Sequence, residues 1–534
     1  MASPSLSSAS DTIDPISEYQ QIEKVPHWRL ILDQAGVTKS IAAYGYSGDG
    51  TDESPFVVEF LPCDPRNPLE FSKLKKWIIT LLQAIATLAV TFSSSAYSGG
   101  VAEIVRYFDV SREVGTLGIS LFVLGFAIGP LLWAPLSELY GRQAVFFGTY
   151  LAMAIFNAAA AGAPSIAAML VFRFFAGAFG SSCLTNAGGV IADLFSASER
   201  GMATSLFAMA PFLGPTIGPI VGGFLGQAEG WRWLNGLMAI FTGCLWIAIV
   251  LVVPETYAPV LLRQRASALS KRTGKAYISR LDVGRPPTTV ATQFKIALSR
   301  PWILLFREPI ILLASLYMAI IYGTLYMCFA AFPIVFQIGR GWGPGVGGLS
   351  FIGVSVGVLL ATAWAIYDNK RYALIVSESP GGIAAPEARL PPALSGAVLV
   401  PIGLFWYAWT TYPSIHWVVP IIGSSFFAGG LVLVTISLTN YLIDSYVVYA
   451  ASVLAASSVI RSLFGATFPL FATRMYQNLG NQWAASIPAF LSLACLPFPF
   501  VFYSYGEKIR SRCKYASEAE EILRQIQESN ANGS

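Results

Sequence analysis

About a dozen apolar stretches, each near the length of a bilayer crossing, punctuate this chain and leave it few folds to choose from. A helix needs about 20 mostly apolar residues to cross the hydrocarbon core. Such runs lie near 77–97 (span 1), 115–135 (span 2), 144–162 (span 3), 166–189 (span 4), 202–225 (span 5) and 233–253 (span 6). After a polar gap come 310–332 (span 7), 346–367 (span 8), 394–411 (span 9), 416–440 (span 10), 447–471 (span 11) and 484–505 (span 12). Hydrophobic residues make up 54% of the chain and charged residues only 12%; a soluble domain carries about 25% charged residues. A water-soluble fold of this length would have to hide more apolar surface than it has interior. Lipid removes that conflict. The expectation is an all-α polytopic membrane protein of 12 transmembrane helices in two six-helix halves, 73–253 and 310–506. A basic linker (254–309) joins them, flanked by tails 1–72 and 507–534. The first tail is polar and acidic and is expected to be mostly unstructured. No apolar run precedes Trp77, so no cleaved leader is expected. Residues 507–528 read as a polar helix.

Basic loop residues orient the chain. With both termini cytoplasmic, the inner side holds Lys73, Lys75, Lys76, Arg142, Arg200, Lys370, Arg371, Arg389 and the basic residues of the linker and C-terminal tail. The outer side holds only Arg106, Arg112, Arg232, Arg340 and Arg474. The linker's Arg263, Arg265, Lys271, Arg272 and Lys275 sit among leucines, either as an amphipathic helix on the inner membrane surface or as a solvated loop. Two histidines and six scattered cysteines make no metal site or disulfide frame. No nucleophile–base pair, phosphate loop or nucleic-acid motif appears, which excludes an enzyme and a nucleic-acid partner.

The loop after span 2, WAPLSELYGRQAVF (133–146), resembles the loop 2–3 signature of the major facilitator superfamily. Leu136, Glu138, Gly141 and Arg142 fall on matching positions; Ala134, Glu138 and Gln143 replace a glycine, an aspartate and a second basic residue. It reads as a charge latch: a carboxylate accepts from helix N-terminal N–H groups or pairs with an arginine. The plainer alternative is a tight turn permitted by Gly141. In span 4, Arg173 and Gly177 resemble the superfamily's R-x-x-x-G element, associated with proton coupling. A charge in an apolar run costs at least about 2.5 kcal/mol, so Arg173 faces a cavity, a carbonyl cage or a partner, or snorkels to the headgroups. In span 5, Gly214, Gly218, Pro219, Gly222 and Gly223 resemble the antiporter motif, whose small residues let another helix approach closely. PETYAPVLLRQRASALSKRTG (254–274) and the 440–480 stretch are similar to the fungal 12-span drug:proton antiporters, including exporters of polyketide toxins of the cercosporin type.

The resemblance implies a major facilitator fold and proton-driven efflux of amphipathic compounds, a self-made toxin or a fungicide, by a monomer in the plasma membrane. It implies no cofactor beyond the proton gradient, and its partners are the cargo, protons and lipid. A nutrient or polyamine uniporter or symporter, or a sensor that keeps the fold, is the alternative. Asp193, Arg200, Asp444 and Tyr446 are expected as gate groups at the inner face. Gln83, Thr87, Asn186, Tyr317, Tyr322, Tyr326, Phe426 and Phe427 are expected around a midplane cavity. Arg461 joins them, either as an anion or phenol contact or as a structural cation. No Asp or Glu lies in the middle of any span, so Glu103, Glu138 and Asp193 are the remaining candidates for a proton carrier.

Overall fold

The computed structural model describes residues 25–196, 199–284, 289–379 and 384–522. Helices begin where the sequence supplies caps: the side chains of Ser72, Ser111 and Ser165 accept from Lys75, Val114 and Ala168 N–H, satisfying amides that a helix start leaves open. Span 1 covers Lys73–Ala96 and continues as a short helical extension to Phe108. Spans 2 and 3 are Arg112–Tyr140 and Arg142–Ala161, and span 4 runs from Ile166 to Leu194. Spans 7 to 10 are Pro309–Phe332, a helix from Pro344 to Glu378, Pro391–Trp409 and Val418–Ser445.

Ten apolar helices among the described residues are long enough to cross a membrane. Two of them, Gly201–Val252 and Val447–Arg510, are 52 and 64 residues long, more than twice the needed length. Each contains one left-handed glycine, Gly230 (φ 83°) and Gly480 (φ 77°), where the chain folds back. Only glycine adopts such a backbone without a steric cost. These two breaks separate span 5 from span 6 and span 11 from span 12, which completes two halves of six. All twelve sequence-predicted runs are helical. Several helices extend past their apolar runs, and Asp444, expected at the start of span 11, lies in the last turn of span 10.

Burial is inverted relative to a soluble bundle. In span 1, Ile78, Leu81 and Ile85 are exposed, whereas Thr80, Gln83 and Thr87 are buried. Apolar residues can face lipid at no cost, and polar ones need partners inside. Span 7 is the most enclosed helix.

The N-terminal tail departs from expectation. Residues 1–24 lie outside the described residues, but 25–72 are folded onto the linker. Strand β1 (Phe56–Val58) pairs in parallel with β2 (Tyr277–Ser279). Ile41, Tyr46, Val58 and Leu61 form one apolar cluster with Leu262, Ala266 and Leu269 of the linker helix Ala258–Thr273. That helix therefore turns its apolar face to the tail, not to lipid. Arg265, on the same helix, is 1% exposed and paired with Asp64 at 2.8 Å. A second linker helix, Val290–Arg307, touches span 2 and the Ala450–Cys495 helix of the second half and so reaches both halves. The tail's low overall hydrophobicity concealed this, because its few apolar residues find partners some 200 positions away. At the other end, 507–510 close the last helix of span 12, 511–513 form a turn and 514–522 are helical again; 523–528 of the expected 507–528 helix lie outside the described residues.

The loops carrying Lys73, Arg142, the linker and Asp444 share one face, here the basic face. Glu103, Gly230, Arg340 and Arg474 lie at the opposite, distal face.

Candidate functional site

Arg173 is fully buried in the distal third of span 4. Its three nitrogens are all engaged. Nε donates to Gly118 O (3.1 Å), one terminal nitrogen to Ser93 O (2.9 Å) and the other to Ser94 O (3.3 Å). The rings of Phe122 and Tyr97 lie 4.3 and 4.7 Å from the guanidinium. Spans 1, 2 and 4 are thus tied together by a carbonyl cage faced by aromatics, a setting that suits a weakly hydrated planar cation. Helix carbonyls already carry their own bonds, and the cage is possible because Gly118 and Gly177 let the backbones close in. A Cβ at Gly177 would collide with Phe122 O, and one at Gly118 with the Tyr97 ring. Of the four environments open to Arg173, it occupies the cage.

The same knot reaches the other half. Ser94, whose carbonyl Arg173 holds, uses its hydroxyl to bond Tyr326 of span 7 at 2.9 Å. Tyr326 lies 3.5 Å from the Tyr322 hydroxyl, and the Tyr322 ring lies 5.1 Å from Arg461 of span 11. A polar line therefore runs from Arg173 to Arg461 across the halves.

At the basic face the latch has the expected shape and a different carboxylate. Gly141 takes φ 99° between spans 2 and 3. The anion at the start of span 3 is Glu255 of the PETYAP stretch, which accepts from Arg142 N (2.9 Å) and Gln143 N (3.1 Å). It also accepts from Thr256 and Tyr257 N–H at 2.9 Å each. Burial pushes the Glu255 carboxyl above the usual range, and these amides pull it part of the way back. A Cβ at Gly141 would collide with the Glu255 carboxylate, so glycine is required twice over. Arg142 donates to Ser137 Oγ (2.6 Å), pairs with Asp193 at 3.7 Å and stacks over Tyr257. Glu138 is exposed; among the described residues no hydrogen bond or ion pair engages it. It lies in the last turn of span 2 at the basic face, and the latch reading is corrected to Glu255. The side chain of Arg200 lies outside the described residues.

The second half repeats the arrangement. Asp444 at the end of span 10 accepts from Arg389 (2.8 Å) and Tyr372 (3.1 Å), as Asp193 at the end of span 4 serves Arg142. Tyr446 donates to the buried Glu308 at 2.8 Å, which also accepts from Tyr515 N–H. At the distal face Glu103 caps Trp231 N–H at 2.8 Å beside left-handed Gly230. Glu103 is thereby a helix cap, and Asp193 an ion-pair partner.

Span 5 presents two seams. Cβ atoms at Gly214, Gly218 and Gly222 would collide with Thr91, Ser95 and Ala96 of span 1. One at Gly223 would fall 2.5 Å from Pro344 O at the start of span 8. Conversely, Gly348 abuts the Pro219 carbonyl. Ser355 donates to Thr216 at 2.8 Å, and Gln227 accepts from Gly345 N–H at 2.9 Å. Arg474 pairs with Glu113 at 3.3 Å. The distal ends of the two halves are in contact.

Nearer the basic face, polar side chains lie buried without partners. These are Gln83 Oε1 and Thr87 Oγ1 in span 1, both amide atoms of Asn186 in span 4 and the Tyr317 hydroxyl in span 7. Buried polar groups are normally hydrogen-bonded, so this layer is poised for a ligand or water. Phe426 is 38% exposed and stacks on Trp406 at 5.4 Å; it is a lipid-facing residue. Its neighbour Phe427 is 1% exposed within the core. Neighbouring positions on a helix of 3.6 residues per turn point about 100° apart, so here one ring meets lipid and the next the core.

The Major Facilitator Superfamily model matches residues 83–469. The chain belongs to the major facilitator superfamily. It is 60% identical to the MFS-type efflux pump MFS2 of Trichophyton rubrum over 95% of this chain and 85% of that one. It is 57% identical to efflux pump FUB11 of Gibberella moniliformis, over 96% and 87% of the two chains. It is 58% identical to the multidrug transporter mdrA of Aspergillus fumigatus, over 95% and 83%. Its fold is similar to a partially occluded, inward-open conformation of the xylose transporter XylE from E. coli, with TM-score 0.59 and 17% identity over 80% of this chain and 98% of that one. The chain is a multi-pass transporter and not an enzyme.

Within this superfamily fold, the residues that sequence reasoning missed are Glu255, Ser94 and Glu308. Glu255 stood in a quoted motif, and its signal was a lone acid directly after an apolar span. Ser94 carried none, since serines in an apolar helix are common.

Proposed function

We propose that this chain exports small amphipathic organic compounds by alternating access. The basic face is then cytoplasmic, the membrane is the plasma membrane, and protons moving inward supply the energy. The observation that carries this reading is the two-faced seam of span 5. Gly214, Gly218 and Gly222 hold span 1 within the first half, while Pro219 and Gly223 close on span 8 of the second. A helix with one seam inside its half and another between halves suits a rocking motion, because only the second needs to break. Relatives at 57–60% identity bear the names of efflux pumps, which supports the outward direction and a cargo drawn from drugs or self-made metabolites.

Proton coupling is read from the span 4 and span 5 motifs. Arg173 does not release its proton. Its role is to hold Ser93 and Ser94, and through Ser94 the Tyr326 contact that closes the distal side. One chain holds both halves, so a monomer suffices. The test is accumulation of a labelled azole and a labelled polyketide in cells expressing the chain, with and without an uncoupler. Expression lowers accumulation and the uncoupler restores it. Accumulation equal to that of cells without the chain, for both compounds, overturns the export reading; efflux that survives the uncoupler overturns only the proton coupling.

A further inference from the structure

The two arginines in the spans have opposite surroundings. Arg173 is saturated by three carbonyls. Arg461 lies eleven residues into span 11, counted from Ala450, roughly 16 Å along the helix at 1.5 Å per residue. It is half-buried, and its Nε is buried with no partner. Its one contact of note is the Tyr322 ring at 5.1 Å. One turn further on, Gly465 would bring a Cβ within 3.1 Å of both Tyr322 and Val123 of span 2. Arg461 therefore sits on the face of span 11 that looks toward span 7 and across the seam to the first half. The 30 Asp and Glu residues of the chain all lie in tails, loops and span ends, so no internal carboxylate balances it at this depth.

An arginine is always charged and presents a planar fork of donors matched to a carboxylate. Held in a low-dielectric layer without a counter-charge, it carries a desolvation cost that an arriving anion offsets. The buried, unpartnered Gln83, Thr87, Asn186 and Tyr317 lie at a similar depth, eight to fourteen residues from the basic ends of spans 1, 4 and 7, and offer neutral hydrogen bonds. We propose that Arg461 receives the acidic group of the cargo, and that the preferred substrates are amphipathic organic acids carrying a carboxylate. The Tyr322 ring supports the guanidinium from one side. Through Tyr326 and Ser94 the occupied site adjoins the contact that closes the distal ends. The inference rests on the transporter reading above and names the cargo class of the same site.

Binding to the purified, full-length protein in lipid nanodiscs tests it without any gradient. The probes are aromatic carboxylic acids with butyl to octyl tails, from benzoates to naphthoates, each paired with its primary amide. At pH 7 at least one acid binds with about tenfold higher affinity than its amide. The preference fades as the pH falls through the probe's own carboxyl pKa. Arg461→Gln brings acid and amide within about twofold of each other, and Arg461→Lys retains part of the preference; both variants elute as monodisperse protein. Equal binding of acids and amides to the wild type, binding of amides with no acid bound, no binding by any acid, or a preference that survives Arg461→Gln overturns the proposal. Failure of export in cells with the acid preference intact would sink the efflux reading alone, whereas export confined to neutral compounds would leave efflux standing and remove this inference.

Discussion

Single residues decide how each charged group in this protein is neutralised. Glu255 and Glu138 differ by position alone: one is buried against four amide donors and the other is exposed. Glu255→Ala leaves the first amides of span 3 buried and unsatisfied, a loss of about 1–3 kcal/mol, read as a lower melting temperature of the detergent-solubilised protein. Glu138→Ala changes it by less than about 0.5 kcal/mol. Equal effects of the two substitutions would refute the assignment of the latch carboxylate. Arg173 gives the complementary case. Arg173→Lys keeps the charge and loses the planar fork, so it cannot reach Gly118, Ser93 and Ser94 together. Transport falls at least tenfold while surface expression stays within twofold, as measured by efflux and by surface labelling. Wild-type efflux from Arg173→Lys would show that the geometry of the cage is dispensable.

At the scale of elements, the glycines of span 5 divide into two groups with different duties. Gly218 faces span 1 inside one half, and Gly223 faces Pro344 across the halves. Gly218→Leu pushes apart two helices that stay together throughout the cycle, so folding suffers and little protein reaches the membrane. Gly223→Leu blocks only the contact that forms when the distal ends meet. It leaves expression near the wild-type level, abolishes efflux and keeps the distal side open. A cysteine at Ser94 then reacts with a membrane-impermeant maleimide added from the distal side, and does so slowly when Gly223 is intact. The reverse pattern, normal efflux from Gly223→Leu with unchanged labelling, would show that this seam does not gate.

Across the whole molecule, the tail and linker form a small folded unit under the first half. Asp64 and Arg265 are its buried ion pair, 201 positions apart. Removing one partner of such a pair costs about 3–5 kcal/mol. Asp64→Ala therefore frees the Ala258–Thr273 helix from the tail, visible as faster hydrogen exchange and new protease cleavage between 258 and 273, with the spans still protected. Unchanged exchange in that helix would mean that the tail is not what holds it. The Val290–Arg307 helix, which touches both halves, stays as it is.

The twelve crossings were legible because each apolar run answers to the bilayer by itself: insertion depends on length and composition, not on which helix stands beside it. The glycine string, the Gly141 turn and the two intramembrane arginines were legible for the same reason, as local departures from an apolar background. The partners of those residues were not. Which carboxylate reaches Gly141, whether an arginine is caged like Arg173 or left open like Arg461, and which of Phe426 and Phe427 meets lipid all depend on the helix faces that converge from distant parts of the chain. The folded tail escaped notice for that reason too, since its apolar residues have meaning only beside the linker. One-dimensional hydropathy records how much a segment prefers lipid to water, and only tertiary structure decides what each buried charge finds when it arrives.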